Sequence, residues 1–205
     1  RRARRDECIR LDRTHGLLWA CGIVSAAELD GLGSARAATE VAMRRAATRL
    51  EARLASSGVH YLVDGEVVPA GLSGRALIGG DGVEGSIAAA SIFASVLHEQ
   101  CMRSLSRRYG EWELDVNAGW PSREHLRRIA DHGPCDCHRA SCFPFRRRAG
   151  RRMAFHPDRK TYAAVQLQMR RAALPDEEGE SELDAAERAR RRRYRRFAAR
   201  AAAAI

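Results

Sequence analysis

Lysine is almost absent. Of the 36 basic residues in 205, Lys160 is the only lysine and the other 35 are arginines, so the cationic chemistry of this chain is arginine chemistry. Long apolar runs are missing too. No stretch approaches the roughly 18 consecutive apolar residues that cross a bilayer, and no short apolar run follows the basic start as a secretory signal would. A soluble protein with no membrane partner is the expectation. The chain is nonetheless 45% hydrophobic, enough for a real core and too much for a wholly disordered chain. Its length fits one domain with an appendage. It opens on Arg1 rather than Met, which suggests a trimmed start.

The net charge of +10 is unevenly placed. Residues 1–145 hold 19 bases and 18 acids, net +1, whereas residues 146–205 hold 17 bases and 8 acids, net +9. A near-neutral compact part with a cationic extension differs from a basic DNA-binding domain, because the extension can grip phosphates without shaping a catalytic pocket. Arg190, Arg191, Arg192 and Arg193, followed by Tyr194, Arg195 and Arg196, set guanidinium groups beside an aromatic ring. Contact with RNA is expected of these six arginines. The plainer alternative is a solvated tail in an arginine-biased composition.

The six cysteines are Cys8, Cys21, Cys101, Cys135, Cys137 and Cys142, and without other signs of a secreted scaffold they read as reduced thiols. Cys135, Cys137, His138 and Cys142 fall within eight residues. Their spacing, C-x-C-H-x3-C, matches no common structural zinc site, so zinc is disfavoured there.

Residues 6–15 resemble the end of a helix, and LLWACGIVS (17–25) is an apolar, partly β-branched run of strand type. Ser25 and Glu28 have the spacing of a capping box, and a second helix starts at Ser34 and runs to about Ala55. In it Ala38, Val41, Ala42, Ala46 and Leu50 form one apolar stripe, leaving an Arg and Glu face for solvent. Strands are expected over 59–63 and 75–78, a helix over 86–108, a loop over 109–121 and a short helix capped by Ser122. Beyond Arg146 the composition turns to Arg, Ala and Glu, with an acidic hinge at 176–182 before a helix over about 183–204. Alternating strands and helices give an α/β domain over 1–145 and a basic, mainly helical extension over 146–205.

Two aspartates end predicted strands 17 residues apart, Asp64 in YLVDGEVVP and Asp81 in LIGGDGVEG. Strand ends on one edge of a sheet can bring two carboxylates within a few ångströms, as a Mg2+ or Mn2+ site for phosphodiester hydrolysis requires. Strand-end aspartates also commonly cap turns, so spacing alone leaves both readings open.

The ordered segments WACGIVSAAELDGLGSARAATEVAMRRAATRL, YLVDG, GGDGVEGSIAAASIFASV, NAGWPSREHL and GPCDCHRASCFPF together resemble ribonuclease HII over about residues 8–145. That resemblance implies an RNase H-like mixed sheet flanked by helices. It also implies a two-metal mechanism in which four acidic groups hold Mg2+ or Mn2+ to cut RNA paired with DNA. On this resemblance Asp64 matches the third acidic ligand and Asp81 the fourth. Glu99 stands where a further carboxylate often occurs, and Trp120 takes the place of a tyrosine that stacks on the sugar at the RNA–DNA junction.

The departures bear equally on function. The family's first two ligands, an adjacent Asp-Glu in a glycine-rich motif on the first strand, have no counterpart here. Asp6 and Glu7 are adjacent but lie in a helix without flanking glycines, and they are rejected as that pair. The basic residue expected after the fourth ligand is replaced by Val83 or a neighbour, and a His-Lys pair becomes Asn117 and Ala118. The expectation is a relative that has lost catalysis and serves as an RNA-binding part of a ribonucleoprotein, such as an organellar ribosome, beside other proteins and without a cofactor. The competing expectation is an active endonuclease on RNA–DNA hybrids whose missing ligands and first strands lie upstream of Arg1. A mitochondrial or other organellar location is expected from composition, with nucleus and cytoplasm as alternatives.

Overall fold

The computed structural model describes residues 17–54, 58–142, 144 and 145, with single helical positions at Ala3, Asp6, Arg10, Ala185, Arg188, Ala189, Arg192, Arg193 and Arg196. The helix expected over 183–204 lies otherwise outside the described residues, as does most of 6–15. The chain divides into two compact units, one of residues 1–24 and 36–101, the other of residues 25–35 and 102–205. Among the described residues no helix is long and apolar enough to cross a membrane.

The first unit contains helix α2 (Ala35–Glu51) from Arg36 onward, strands β1 (Tyr61–Asp64) and β2 (Gly74–Leu77), and helix α3 (Gly85–Arg108) as far as Cys101. β1 and β2 pair in parallel with Tyr61 opposite Gly74 and Asp64 opposite Leu77, and the Gly65 N–H extends the ladder to the Leu77 carbonyl at 2.9 Å. Alternating strands and helices thus form an α/β structure. Its described sheet is this parallel pair, shorter than the mixed sheet that the sequence suggests.

The strand expected over 17–25 does not form. A strand is defined by ladder partners, and among the described residues no strand pairs with this segment. Instead, the guanidinium groups of Arg53, Arg49 and Arg45 donate to the carbonyls of Trp19, Cys21 and Ile23 at 2.9, 2.6 and 2.5 Å. The spacing explains the match. Two residues of extended chain advance about 6.6 Å and put carbonyls on the same side, while the four residues of helix from Arg45 to Arg49 advance about 6 Å, and Arg53 follows in the turn after α2. The face of α2 expected to be left to water therefore supplies backbone partners. The two elements lie so close that a Cβ at Gly22 would collide with the Ala42 carbonyl oxygen, which makes glycine obligatory there. Trp19 stacks on Phe93 of α3 with ring centroids 5.2 Å apart.

The second unit holds α1 (Ala26–Leu32), the end of α3 from Met102, a one-turn α4 (Leu114–Asn117) and α5 (Arg123–His132). The Ser25–Glu28 capping box is present in both directions. Ser122 caps α5 by accepting from the His125 N–H at 3.1 Å, as its position suggests. Trp112, Leu114, Leu126, Ile129, Ala130 and Cys135 make the buried core, flanked by Met102, Leu105, Tyr109, Cys137 and Phe145. The Trp112 indole N–H is satisfied by the Gly133 carbonyl at 2.9 Å. Asp30, buried on α1, accepts from the Ala140 N–H at 3.0 Å and from the Ser141 N–H and hydroxyl at 2.9 and 2.8 Å. Burying a carboxylate is tolerable only with such a complete set of donors.

Candidate functional site

In the first unit β1 ends at Asp64, and β2 leads through Ile78 and Gly79 into a single 3-10 turn, Gly80–Gly82, that carries Asp81. Both carboxylates are therefore delivered at the C-terminal end of the parallel pair, where α/β sheets place their ligand sites. The Gly80 N–H donates to Asp64 Oδ1 at 2.9 Å, tying the first aspartate to the residue next to the second. Gly80 packs closely on α3, since a Cβ there would meet Ile87 Cδ1 at 2.6 Å and displace that side chain. Asp64 and Asp81 are exposed. One oxygen of Asp64 is oriented by the backbone, and its other oxygen is open to a hard cation or a turn donor.

Glu99 lies on α3, about 20 Å of helix rise beyond Gly85. Among the described residues it does not join Asp64 and Asp81 in a group of three ligand atoms within 4.8 Å. For Mg2+ or Mn2+ the described residues fit in part: they supply two oxygen donors at one sheet end, fewer than a pair of bridged hard ions requires.

Trp120 belongs to the second unit and is 73% exposed. Its position is set by a tight reversal in which Ala118 and Gly119 both take left-handed backbone conformations (φ 51° and 77°). Asn117 holds that reversal, donating from Nδ2 to the Trp112 carbonyl at 2.6 Å and accepting the Gly119 N–H at 2.8 Å. Val83, beside Asp81, projects an 81% exposed apolar side chain.

Among the arginines expected to meet RNA, Arg190, Arg191 and Arg195 lie outside the described residues, and Arg192 and Arg196 are exposed. Arg193 is half-buried. Its guanidinium lies over the Trp112 ring, 5.5 Å from the centroid, and reaches the His132 carbonyl at the end of α5 at 3.5 Å.

A second cluster was not expected from spacing. Among the described residues, Cys135, Cys137 and His138 are the one group of three His, Cys, Asp or Glu side chains whose ligand atoms lie within 4.8 Å of one another. The His138 N–H donates to the Cys135 carbonyl at 3.1 Å, closing a turn that wraps the three around one point. Cys135 Sγ is 2.8 Å from Cys137 Sγ and 3.1 Å from His138 Nδ1. The contact between the thiols pushes Cys135 up, with burial adding to it, and pulls Cys137 down. His125 Nε2 lies 3.1 Å from His138 Nε2, and burial lowers the His125 pKa to about 4. Among the described residues Cys21, Cys101, Cys135, Cys137 and Cys142 are free thiols, and Cys8 lies outside them.

No protein-family model matches the chain. It is, however, 33% identical over 179 residues to a ribonuclease HII of Xanthomonas axonopodis pv. citri, covering 84% of this chain and 69% of that protein. It is 37% identical over 150 residues to a ribonuclease HII of Erythrobacter litoralis, covering 70% and 68%. Against that of Geobacillus thermodenitrificans it is 42% identical over 129 residues, covering 63% of this chain and 48% of that protein. The chain thus spans between about half and just over two thirds of these relatives. With a third of its aligned residues shared across more than two thirds of such a protein, on an α/β frame, this chain belongs to the ribonuclease HII family.

Proposed function

We propose that this ribonuclease HII-family chain binds RNA as a component of a ribonucleoprotein of the ribosomal type, and that the chain by itself does not cleave. The observation that carries this reading is Asn117. Where the family resemblance calls for a cation near the substrate, its amide is engaged within the turn, on the Trp112 carbonyl and the Gly119 N–H. Val83 likewise presents a hydrocarbon surface beside Asp81. A pocket without phosphate-binding cations holds a polyanion weakly, so affinity falls to Trp120 and to the arginine-rich extension. Organellar placement rests on composition alone.

A second reading is supported by a different observation: Asp64 and Asp81 share one end of the sheet, with the Gly80 N–H orienting the Asp64 carboxylate. On that reading the chain supplies half of a metal-binding set that acts on RNA paired with DNA, completed by two more carboxylates.

The two readings separate when the full chain is incubated with an RNA–DNA hybrid and Mg2+ or Mn2+, beside Asp64→Asn. The binding reading expects no cleavage, and an affinity for RNA that falls with salt and is unchanged by Asp64→Asn. Deleting 183–205 should then flatten the logarithmic salt dependence by about 0.7 to 0.9 for each phosphate that the shortened chain no longer neutralises. Cleavage by the wild type that Asp64→Asn abolishes establishes the endonuclease reading instead.

A further inference from the structure

The turn Cys135-Asp136-Cys137-His138 gathers chemistry that neither reading of function uses. We propose that Cys135, Cys137 and His138 form a site for a zinc-class divalent cation, bound through two thiolates and His138 Nδ1. Two sulfurs and an imidazole nitrogen are the donor set of borderline-soft ions, not of the hard Mg2+ or Mn2+.

The geometry needs little adjustment. Zinc–sulfur bonds of about 2.3 Å and zinc–nitrogen bonds of about 2.0 Å in a tetrahedron place ligand atoms roughly 3.5 to 3.8 Å apart. Cys135 Sγ stands 2.8 Å from Cys137 Sγ and 3.1 Å from His138 Nδ1, and all three ligand atoms lie within 4.8 Å, so shifts of about 1 Å open the site. Binding displaces the two thiol protons to solvent, and the dication with two thiolates is neutral overall. That balance matters because Cys135 and His138 are buried, at 6% and 8% exposure. Cys137, half-buried, gives the side of entry.

The hydrogen-bond relay selects the tautomer that a metal needs. The Trp120 carbonyl can only accept, so His125, 2.9 Å away through Nδ1, carries its proton there. Its Nε2 lies 3.1 Å from His138 Nε2, which carries the His138 proton because the Cys135 N–H donates to His138 Nδ1. The lone pair of His138 is on Nδ1, where it accepts from the Cys135 N–H at 3.1 Å beside Cys135 Sγ, and a bound ion takes the place of that hydrogen bond. A ligand histidine whose other N–H is anchored in this way is the usual outer-shell arrangement of a metal site. Trp112 and Phe145 stand edge-on to the His138 ring at 5.9 and 6.1 Å and wall that side of the cluster. The protein supplies three ligands, and a fourth position is left to water.

Cobalt(II) titration of the full-length, metal-stripped and reduced chain tests the site. The expected result is one ion per chain, with thiolate-to-cobalt charge transfer and the visible bands of a tetrahedral centre, displaced by zinc. Cys137→Ser, chosen because it is half-exposed, should weaken cobalt binding by more than about 100-fold with an unchanged circular dichroism spectrum. His125→Phe should weaken it by about 10- to 100-fold while keeping the charge-transfer band, as changes in the outer shell do. Cys142→Ala should change nothing. The absence of a thiolate–cobalt band in the folded, reduced chain, or uptake that Cys137→Ser leaves intact, overturns the proposal. Neither result touches the nuclease or RNA-binding readings.

Discussion

The two units of this chain bury different things. The first buries small and aliphatic side chains, Ala38, Ala47, Val63, Ile87 and Val96, and leaves Leu18, Ile23, Ile78 and Val83 largely exposed. The second buries an indole, a carboxylate and two imidazoles among Leu126, Ile129 and Cys135, each polar group with a named partner. The candidate site residues follow the same division. Asp64 and Asp81 are exposed side chains on a short parallel pair, with one backbone N–H orienting Asp64, whereas the Cys and His cluster sits inside a connected network. An exposed carboxylate can be changed with little effect on the fold, while a buried network is stability and chemistry at once. Exposed apolar surface on the first unit is the type that other protein or nucleic acid covers.

That contrast can be broken by substitution. Trp112→Ala removes the centre of the second core and its bond to Gly133, and should cost about 3–5 kcal/mol in a denaturant titration. Hydrogen exchange should speed up over 102–142 and stay slow over 61–77 if the units are stabilised separately. An equal drop in protection in both would erase the distinction. Asp30→Asn should cost about 2–3 kcal/mol, because its new NH2 would face a backbone or hydroxyl donor at Ala140 or Ser141. Smallest are the changes in the first unit. Replacing Arg45, Arg49 or Arg53 singly by Ala should cost about 1 kcal/mol each, and the effect on exchange should be confined to 17–24 and α2. A larger single effect would mean that the extended segment is held by the arginines alone.

Much of this was legible in the chain. The capping box at Ser25, the Ser122 cap, and the strands that deliver Asp64 and the turn of Asp81 follow local rules that neighbouring residues satisfy. The strand expected at 17–25 failed because an apolar, partly β-branched run specifies extended backbone but not its partner, and here carbonyls meet guanidinium groups of α2 and the turn after it. The stripe assigned to α2 was half right for a related reason. Ala38 is buried as expected, but Ala47 rather than Ala46 is the second buried position, and the arginine face is in use.

The cysteines show the limit most plainly. Ligand spacing rules describe turns already known to bind metal, and C-x-C-H fell outside them. Whether the three side chains converge depended on the turn closed by the His138 N–H, on the wall of Trp112 and Phe145, and on His125, thirteen residues away, which orients His138. The amino-acid sequence by itself determined the family, through its ordered segments, and the caps at Ser25 and Ser122, which follow from local spacing. Only the tertiary structure decided which backbone groups the arginines satisfy and which nitrogen of His138 faces the thiols, because both depend on donors and acceptors brought together by the fold.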